Sequence, residues 1–174
     1  MKELPMITVH NVQMRIMGLS VDPRVNHLYS ISESGYLIVT DASDKTTEGG
    51  KFLNSQNLSS SNAGLKAMIH DLVRNILFVA SGDGKVFILN SLPTQPELLQ
   101  TIETDQKVCI RGLTRSNNIG GFSSSEYGSF QKTTGCQNFL LASDINGYIT
   151  IFDIGTAGKE KNTRRIGNTQ GKPK

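Results

Sequence analysis

Chemistry in this chain would have to come from a short list of side chains: three histidines and two cysteines, and two acidic glycine-rich loops. His70-Asp71 has the composition of a base with its orienting carboxylate. Neighbours on a strand point to opposite faces, however, and no nucleophile pairs with them, so the dipeptide reads as a turn anchor. His27 opens a strand after a polar turn and reads as solvated. Cys109 and Cys136 lack metal-ligand spacing and imply no disulfide framework. Cys109 reads as a small core residue on an apolar strand and Cys136 as an oxidisable thiol in a loop, neither of them catalytic. Gly82-Asp83-Gly84-Lys85 has the glycines of a phosphate loop but neither the Walker spacing nor the Ser/Thr, and a strand follows where a helix N-terminus is required. Asp144-Ile145-Asn146-Gly147 opens like a calcium loop, yet no acidic residue closes it at the bidentate position. The reading is therefore of a non-enzyme, with no catalytic residue, no metal site and no cofactor.

The elements around these loops are more informative than the loops. Leu77-Phe78-Val79-Ala80-Ser81 and Val86-Phe87-Ile88-Leu89-Asn90 flank Asp83-Gly84. Two β-branched and aromatic runs around an Asp-Gly turn predict a hairpin, because Gly accepts the positive φ of a tight primed turn. The pattern recurs around Gly35 (Leu28 to Asp41) and around Asn146-Gly147 (Phe139 to Asp153), and such an internal repeat outranks any single motif as evidence of architecture.

Taken in order, residues 1–13 predict a leading strand of a neighbouring unit. Residues 14–64 form a first unit and linker, with Lys51-Phe52-Leu53 as an outer-strand island. Residues 65–107 form a second unit of four strands, and 108–155 a third, interrupted by an insertion at 114–137. Residues 156–174 form a disordered basic tail. The net charge of +3 is concentrated there: six cations against Glu160 alone give residues 159–174 a charge of +5, leaving the preceding chain at −2. A near-neutral body argues against nucleic acid as partner. Met1 to Ser20 has neither a signal-peptide core nor a span, which points to the cytoplasm, with the nucleus as the other compartment.

A unit of four short antiparallel strands with Asp-Gly or its equivalent in the middle turn resembles a WD-repeat β-propeller blade. The residues that carry the resemblance are Ser81, Asp83, Gly84, Val86, Leu89 and Asn90 in the second copy; Ser32, Ser34, Gly35, Leu37, Thr40 and Asp41 in the first; and Ser143, Asn146, Gly147, Ile149, Phe152 and Asp153 in the third. The resemblance implies an all-β fold, a partial β-propeller of four-stranded antiparallel blades. The repeat's Trp is replaced by Thr40, Leu89 and Phe152, and its Gly-His pair is missing, so these are degenerate blades. Three blades fall short of the four or more that close a ring. The chain is thus read either as part of a longer propeller or as one that associates with itself or another chain.

The resemblance further implies a protein-protein interaction scaffold. The insertion offers Phe122, Tyr127 and Phe130 among serines as a partner loop. The alternative is a membrane-surface adaptor for anionic phosphoinositide lipids, with Lys161, Arg164 and Arg165 as contacts.

Overall fold

The computed structural model describes residues 14–43, 50–60, 62–117, 138–154 and 162–166. These form three four-stranded antiparallel sheets, each a meander in chain order. Blade 1 comprises β1 (Ile16–Asp22), β2 (His27–Ser32), β3 (Tyr36–Asp41) and β4 (Lys51–Asn57). Blade 2 comprises β5 (Leu65–Asp71), β6 (Ile76–Ser81), β7 (Lys85–Asn90) and β8 (Glu97–Glu103). Blade 3 comprises β9 (Ile110–Asn117), β10 (Asn138–Asp144), β11 (Ile149–Asp153) and β12 (Asn162–Ile166). The architecture is a partial β-propeller: β1 packs on β5 and β5 on β9, so the first strand of each blade meets the first strand of the next.

Period-two alternation explains the stacking. In blade 2 successive residues point to opposite faces: Leu77, Val79, Phe87 and Leu89 join Tyr29, Ile31, Leu37 and Val39 of blade 1 in one core. Phe78, Ala80, Val86 and Ile88 join Ile110, Leu140, Ala142 and Phe152 of blade 3 in a second. All six residues of β6 are buried, the pattern of a strand covered on both sides. A fully buried side chain such as Phe78 or Leu77 contributes about 1.5–3 kcal/mol.

Register aligns the copies. A bulge falls at the start of each first strand, at Ile16/Gly18 against β2, at Leu65/Ala67 against β6, and opposite Ser143/Asp144 in β10. Bulges bend the strand that carries them and increase its local twist. The middle turns begin with a side-chain oxygen that accepts the backbone N–H four residues on: Ser32 from Tyr36 at 3.2 Å, Ser81 from Lys85 at 3.2 Å, and Asp144 from Tyr148 at 3.0 Å. Asp144, rather than Ser143, is therefore the third-copy equivalent of Ser32 and Ser81. The turn glycines all hold positive φ: 94° at Gly35, 80° at Gly84 and 79° at Gly147.

Three stretches differ from the sequence reading. The Lys51-Phe52-Leu53 island is the beginning of a seven-residue strand, β4. The insertion starts later than 114, because Thr114 to Asn117 continue β9 and pair with β10 as far as Asn117 opposite Asn138. The tail contributes β12, whose backbone pairs with β11 from Asn162 opposite Asp153 to Ile166 opposite Ile149. Neither stretch shows apolar periodicity; satisfying the exposed backbone edge of a neighbouring strand is sufficient reason to extend. The leading strand expected at 1–13 lies outside the described residues.

Candidate interaction surface

Each blade's first turn, between its first and second strands, sits on one rim. In blades 1 and 2 it has four residues after a buried Asp, Pro23–Asn26 after Asp22 and Leu72–Asn75 after Asp71, and ends on an Asn in the left-handed region, φ 54° at Asn26 and 57° at Asn75. Asn tolerates that conformation because its side chain is short and polar. The carbonyls of these asparagines tie the turn to the connection after the third strand, accepting from Ala42 N at 2.7 Å and Ser91 N at 2.8 Å. In blade 3 the place of that four-residue turn is taken by residues 118–137.

The seam between blades 1 and 2 closes at this rim with neutral polar groups. The Tyr29 hydroxyl donates to the Ser91 carbonyl at 2.8 Å, and His70 Nε2 lies 2.8 Å from Ser91 Oγ. The rings of Tyr29 and His70 meet edge-on at 5.1 Å, with His27 on the other side of Tyr29 at 6.2 Å. Burial pushes the Tyr29 hydroxyl up to about 12 and holds His70 below its usual value. His27, expected in solvent, is buried, because the blade stacks over the strand that it opens. Asp22 in this seam is neutralised within its own turn: Oδ1 accepts from Arg24 N at 3.0 Å and Arg24 Nε at 2.9 Å, while Arg24 Nη2 pairs with Oδ2. These bonds bring its carboxyl down to about 2. Asp22, Arg24, Val25, Ser91 and Leu92 line a cleft of about 140 Å³.

The seam between blades 2 and 3 closes ionically. Strand register gives Arg115 of blade 3 the position that His70 holds in blade 2, since Leu140 opposite Arg115 corresponds to Leu77 opposite His70. Arg115 Nη1 pairs with Asp71 Oδ2, and Arg74 Nε lies 3.7 Å from the same oxygen. Asp71 Oδ1 accepts from the Val73 and Arg74 amides at 3.2 and 3.3 Å. Burial, and then repulsion from Arg115, holds Arg74 below the usual guanidinium value. On the opposite rim Lys66 Nζ meets Glu33 Oε1 at 3.0 Å between blades 1 and 2.

The outward face of blade 3 and the first strand of blade 1 are the remaining surfaces. Leu141, Ser143, Ile149 and Ile151 of blade 3 correspond by register to Phe78, Ala80, Val86 and Ile88, the face that blade 2 turns to blade 3. Here Ile149 is 41% exposed, beside a groove of about 190 Å³ lined by Gly112, Leu113, Thr114, Leu141, Ser143 and Ile149. On blade 1, Ile16 (42% exposed) and Leu19 (60%) hold positions that are filled in the seams by Leu65 and Met68, and by Ile110 and Leu113. Farther out on that blade Ser30, Ile38 and Thr40 are buried.

The expected site residues are distributed as follows. Gly35, Asp83, Gly84, Asn146 and Gly147 all lie in middle turns, where Asp83 accepts from Ser81 Oγ and pairs with Lys85 Nζ at 2.8 Å. Burial works to raise the Asp83 carboxyl, and the bonds from Lys85 and Ser81 outweigh it, so the net shift is downward. Phe122, Tyr127, Phe130, Cys136 and Lys161 lie outside the described residues. Arg164 and Arg165 are on β12, opposite Ile151 and Thr150 in backbone register. Cys109 is half-buried in the connection before β9 rather than on a strand. Among the described residues no His/Cys/Asp/Glu group could hold a metal ion. His70 and Asp71 point to different seams, as strand alternation requires. Asp71, read from sequence as part of a turn anchor, does hold its turn through the Val73 and Arg74 amides; the rim residues Asp22, Arg24, Tyr29, Arg74, Ser91 and Arg115 were not singled out, although an Asp and an Asn four residues apart before the second strand, Asp22/Asn26 and Asp71/Asn75, mark both turns.

No protein-family model matches the chain, and no curated protein does. Solved structures match it strongly in shape at low identity. The computationally designed Ika4 protein superposes with a TM-score of 0.62 at 18% identity, covering 97% of this chain and 81% of that one. The RRP9 WD40 repeats give 0.61 at 12% identity over 89% of this chain and 40% of theirs, and U3-55K gives 0.61 at 13% over 92% and 42%. The chain thus spans about two fifths of the length of these two structures. The likeness establishes the propeller-type fold of four-stranded blades.

Proposed function

We propose that this chain is a non-catalytic protein-interaction scaffold of WD-repeat type, and that it completes its ring by head-to-tail contact with a second copy of itself. One observation carries the reading. Ile149, Leu141 and Ile151 at one end, and Ile16 and Leu19 at the other, are the register equivalents of residues that fill the two internal seams. Apolar positions that are covered at the internal seams and exposed at the two ends mark both ends as seam surfaces, and a head-to-tail contact either closes a ring or propagates. Two sets of the three described blades give six, within the range in which propellers close. The rims then carry the turns between strands, loops on a rigid frame where partners are engaged.

Sedimentation equilibrium from about 1 to 100 µM tests the contact. A dimeric mass for the full chain, and monomers for Ile149→Asp and for Leu19→Asp, are expected. A wild-type monomer throughout that range, or variants that still dimerise, would overturn it.

A further inference from the structure

The two seams place their charges differently. In blade 1 one arginine, Arg24, neutralises one aspartate, Asp22, through a bidentate contact. In the second seam two arginines converge on one aspartate: Arg115 and Arg74 both face Asp71 Oδ2, while Oδ1 is occupied by the Val73 and Arg74 amides. Among the described residues Asp71 is the one carboxylate paired with either arginine. The side chain of Asp71 is 1% exposed, and those of Arg74 and Arg115 are 18% and 13% exposed, so a net positive charge is held largely out of water. Among the described residues Arg74 Nη1 and Arg115 Nε are buried donors without a hydrogen-bond partner, and Asp71 Oδ2, held by the ion pairs alone, is a buried acceptor without one. Guanidinium donors kept from water are costly unless paired, and a fork of them is matched to planar carboxylates.

We propose that Arg74 and Arg115 form a receptor for a single carboxylate, an Asp or Glu side chain of a partner protein seated on this rim at the seam between blades 2 and 3. The charge decides the class. Two guanidiniums and Asp71 leave one positive charge, which a monoanion neutralises; a phosphate dianion would bring the group to net negative beside the Asp71 carboxylate. The arginine side chains are 18% and 13% exposed, so a partner carboxylate meets them at their solvent edge. The site rests on the scaffold reading, but it does not depend on contact between copies.

The test is a titration of the full chain with acetyl-Gly-Glu-Gly-amide at constant ionic strength, read on the arginine Nε–Hε NMR signals. The Arg74 and Arg115 signals are assigned from their loss in R74Q and R115K. Saturable shifts of these two signals are expected, with binding at least fivefold weaker in R74Q, read at Arg115. R74Q leaves the Arg115–Asp71 pair intact, so it separates loss of the site from loss of the fold. Shifts that do not saturate, or that R74Q leaves unchanged, show ordered water as the only occupant and overturn the proposal. So does inorganic phosphate saturating the site at lower concentration than the peptide. Glu126 is the one acidic residue of the insertion, and Arg signals that move on E126Q without peptide would assign the site to the chain's own carboxylate, which also overturns it. Sedimentation of the same samples reports the seam between copies separately, so either reading can fail alone.

Discussion

Replacing Arg115 with methionine removes the closer of two cations from a carboxylate that has almost no access to water. Asp71 keeps its two amide donors and retains Arg74 Nε at 3.7 Å. Breaking a buried pair by deleting one partner costs about 3–5 kcal/mol. The remaining arginine offsets part of that, so we expect R115M to lose about 2–3 kcal/mol. R74M removes the surplus cation, and with it the repulsion that helps to hold Arg74 below its usual value. Its cost is expected to stay under about 1 kcal/mol, because the contact is long, 3.7 Å, and Asp71 keeps its closer cation and both amide donors. Urea unfolding followed by far-ultraviolet circular dichroism, at one protein concentration because association shifts apparent stability, measures both. The combination D71N/R115M should recover part of the R115M loss, since the uncompensated charge is then gone. If R74M is as destabilising as R115M, or if the double variant is additive, the two arginines are equivalent supports and the surplus-charge account is wrong.

Three further outcomes follow from the geometry. Alkaline titration at 295 nm should resolve one of the chain's four tyrosines with a midpoint near 12, and Tyr29→Phe should abolish that step at a cost of about 1 kcal/mol for the orphaned Ser91 carbonyl. Gly84→Ala places a methyl 2.6 Å from Lys107 Cα at φ 80°, so at least about 2 kcal/mol, a fall in melting temperature of about 4–8 °C, is expected. Asp22, whose carboxyl is lowered from 3.8 to about 2, stabilises the fold fully above about pH 4 and ceases to do so as pH falls through about 2; with Arg24 half exposed the contribution is about 1 kcal/mol, and Asp22→Asn should flatten that part of the acid limb.

The hairpins around Gly35, Gly84 and Gly147 were legible in the sequence because each requirement is local: alternation sets the faces, and Gly supplies the positive φ of the turn. β4 and β12 were less so. Their residues form strands by completing the backbone pairing of β3 and β11, and that demand is set by a neighbour distant in sequence. The third anchor was misplaced by one residue because Ser143 sits beside Asp144, and only the pairing of Ser143 with Ile149 shows which of them starts the turn. The rim was the least legible part. Asp71 and Arg115 are 44 positions apart, and what joins them is stacking of blades, for which neither residue carries a local signature. His27 misled for the same reason, since its burial comes from a blade that its own strand does not contain.

The repeat explains why the seams should differ in chemistry while their cores do not. The apolar alternation is constrained twice at a strand covered on both sides, by the ladder within the blade and by the face of the next one, and so aliphatic residues recur at equivalent positions, Leu37, Val86 and Ile149 at one and Val39, Ile88 and Ile151 at another. The position at the end of each first strand is constrained only by what faces it across the rim. Val21, His70 and Arg115 occupy it in turn, and each dictates how the preceding Asp is compensated. With neutral His70 opposite, Asp22 is satisfied by Arg24 from its own turn. With Arg115 opposite, Asp71 no longer needs Arg74, which becomes available to something else. Val21, 52% exposed, has no blade before it among the described residues. A contact with the blade 3 end of another copy would cover it. The blades thus differ in rim chemistry at one register position, while both seams keep apolar cores.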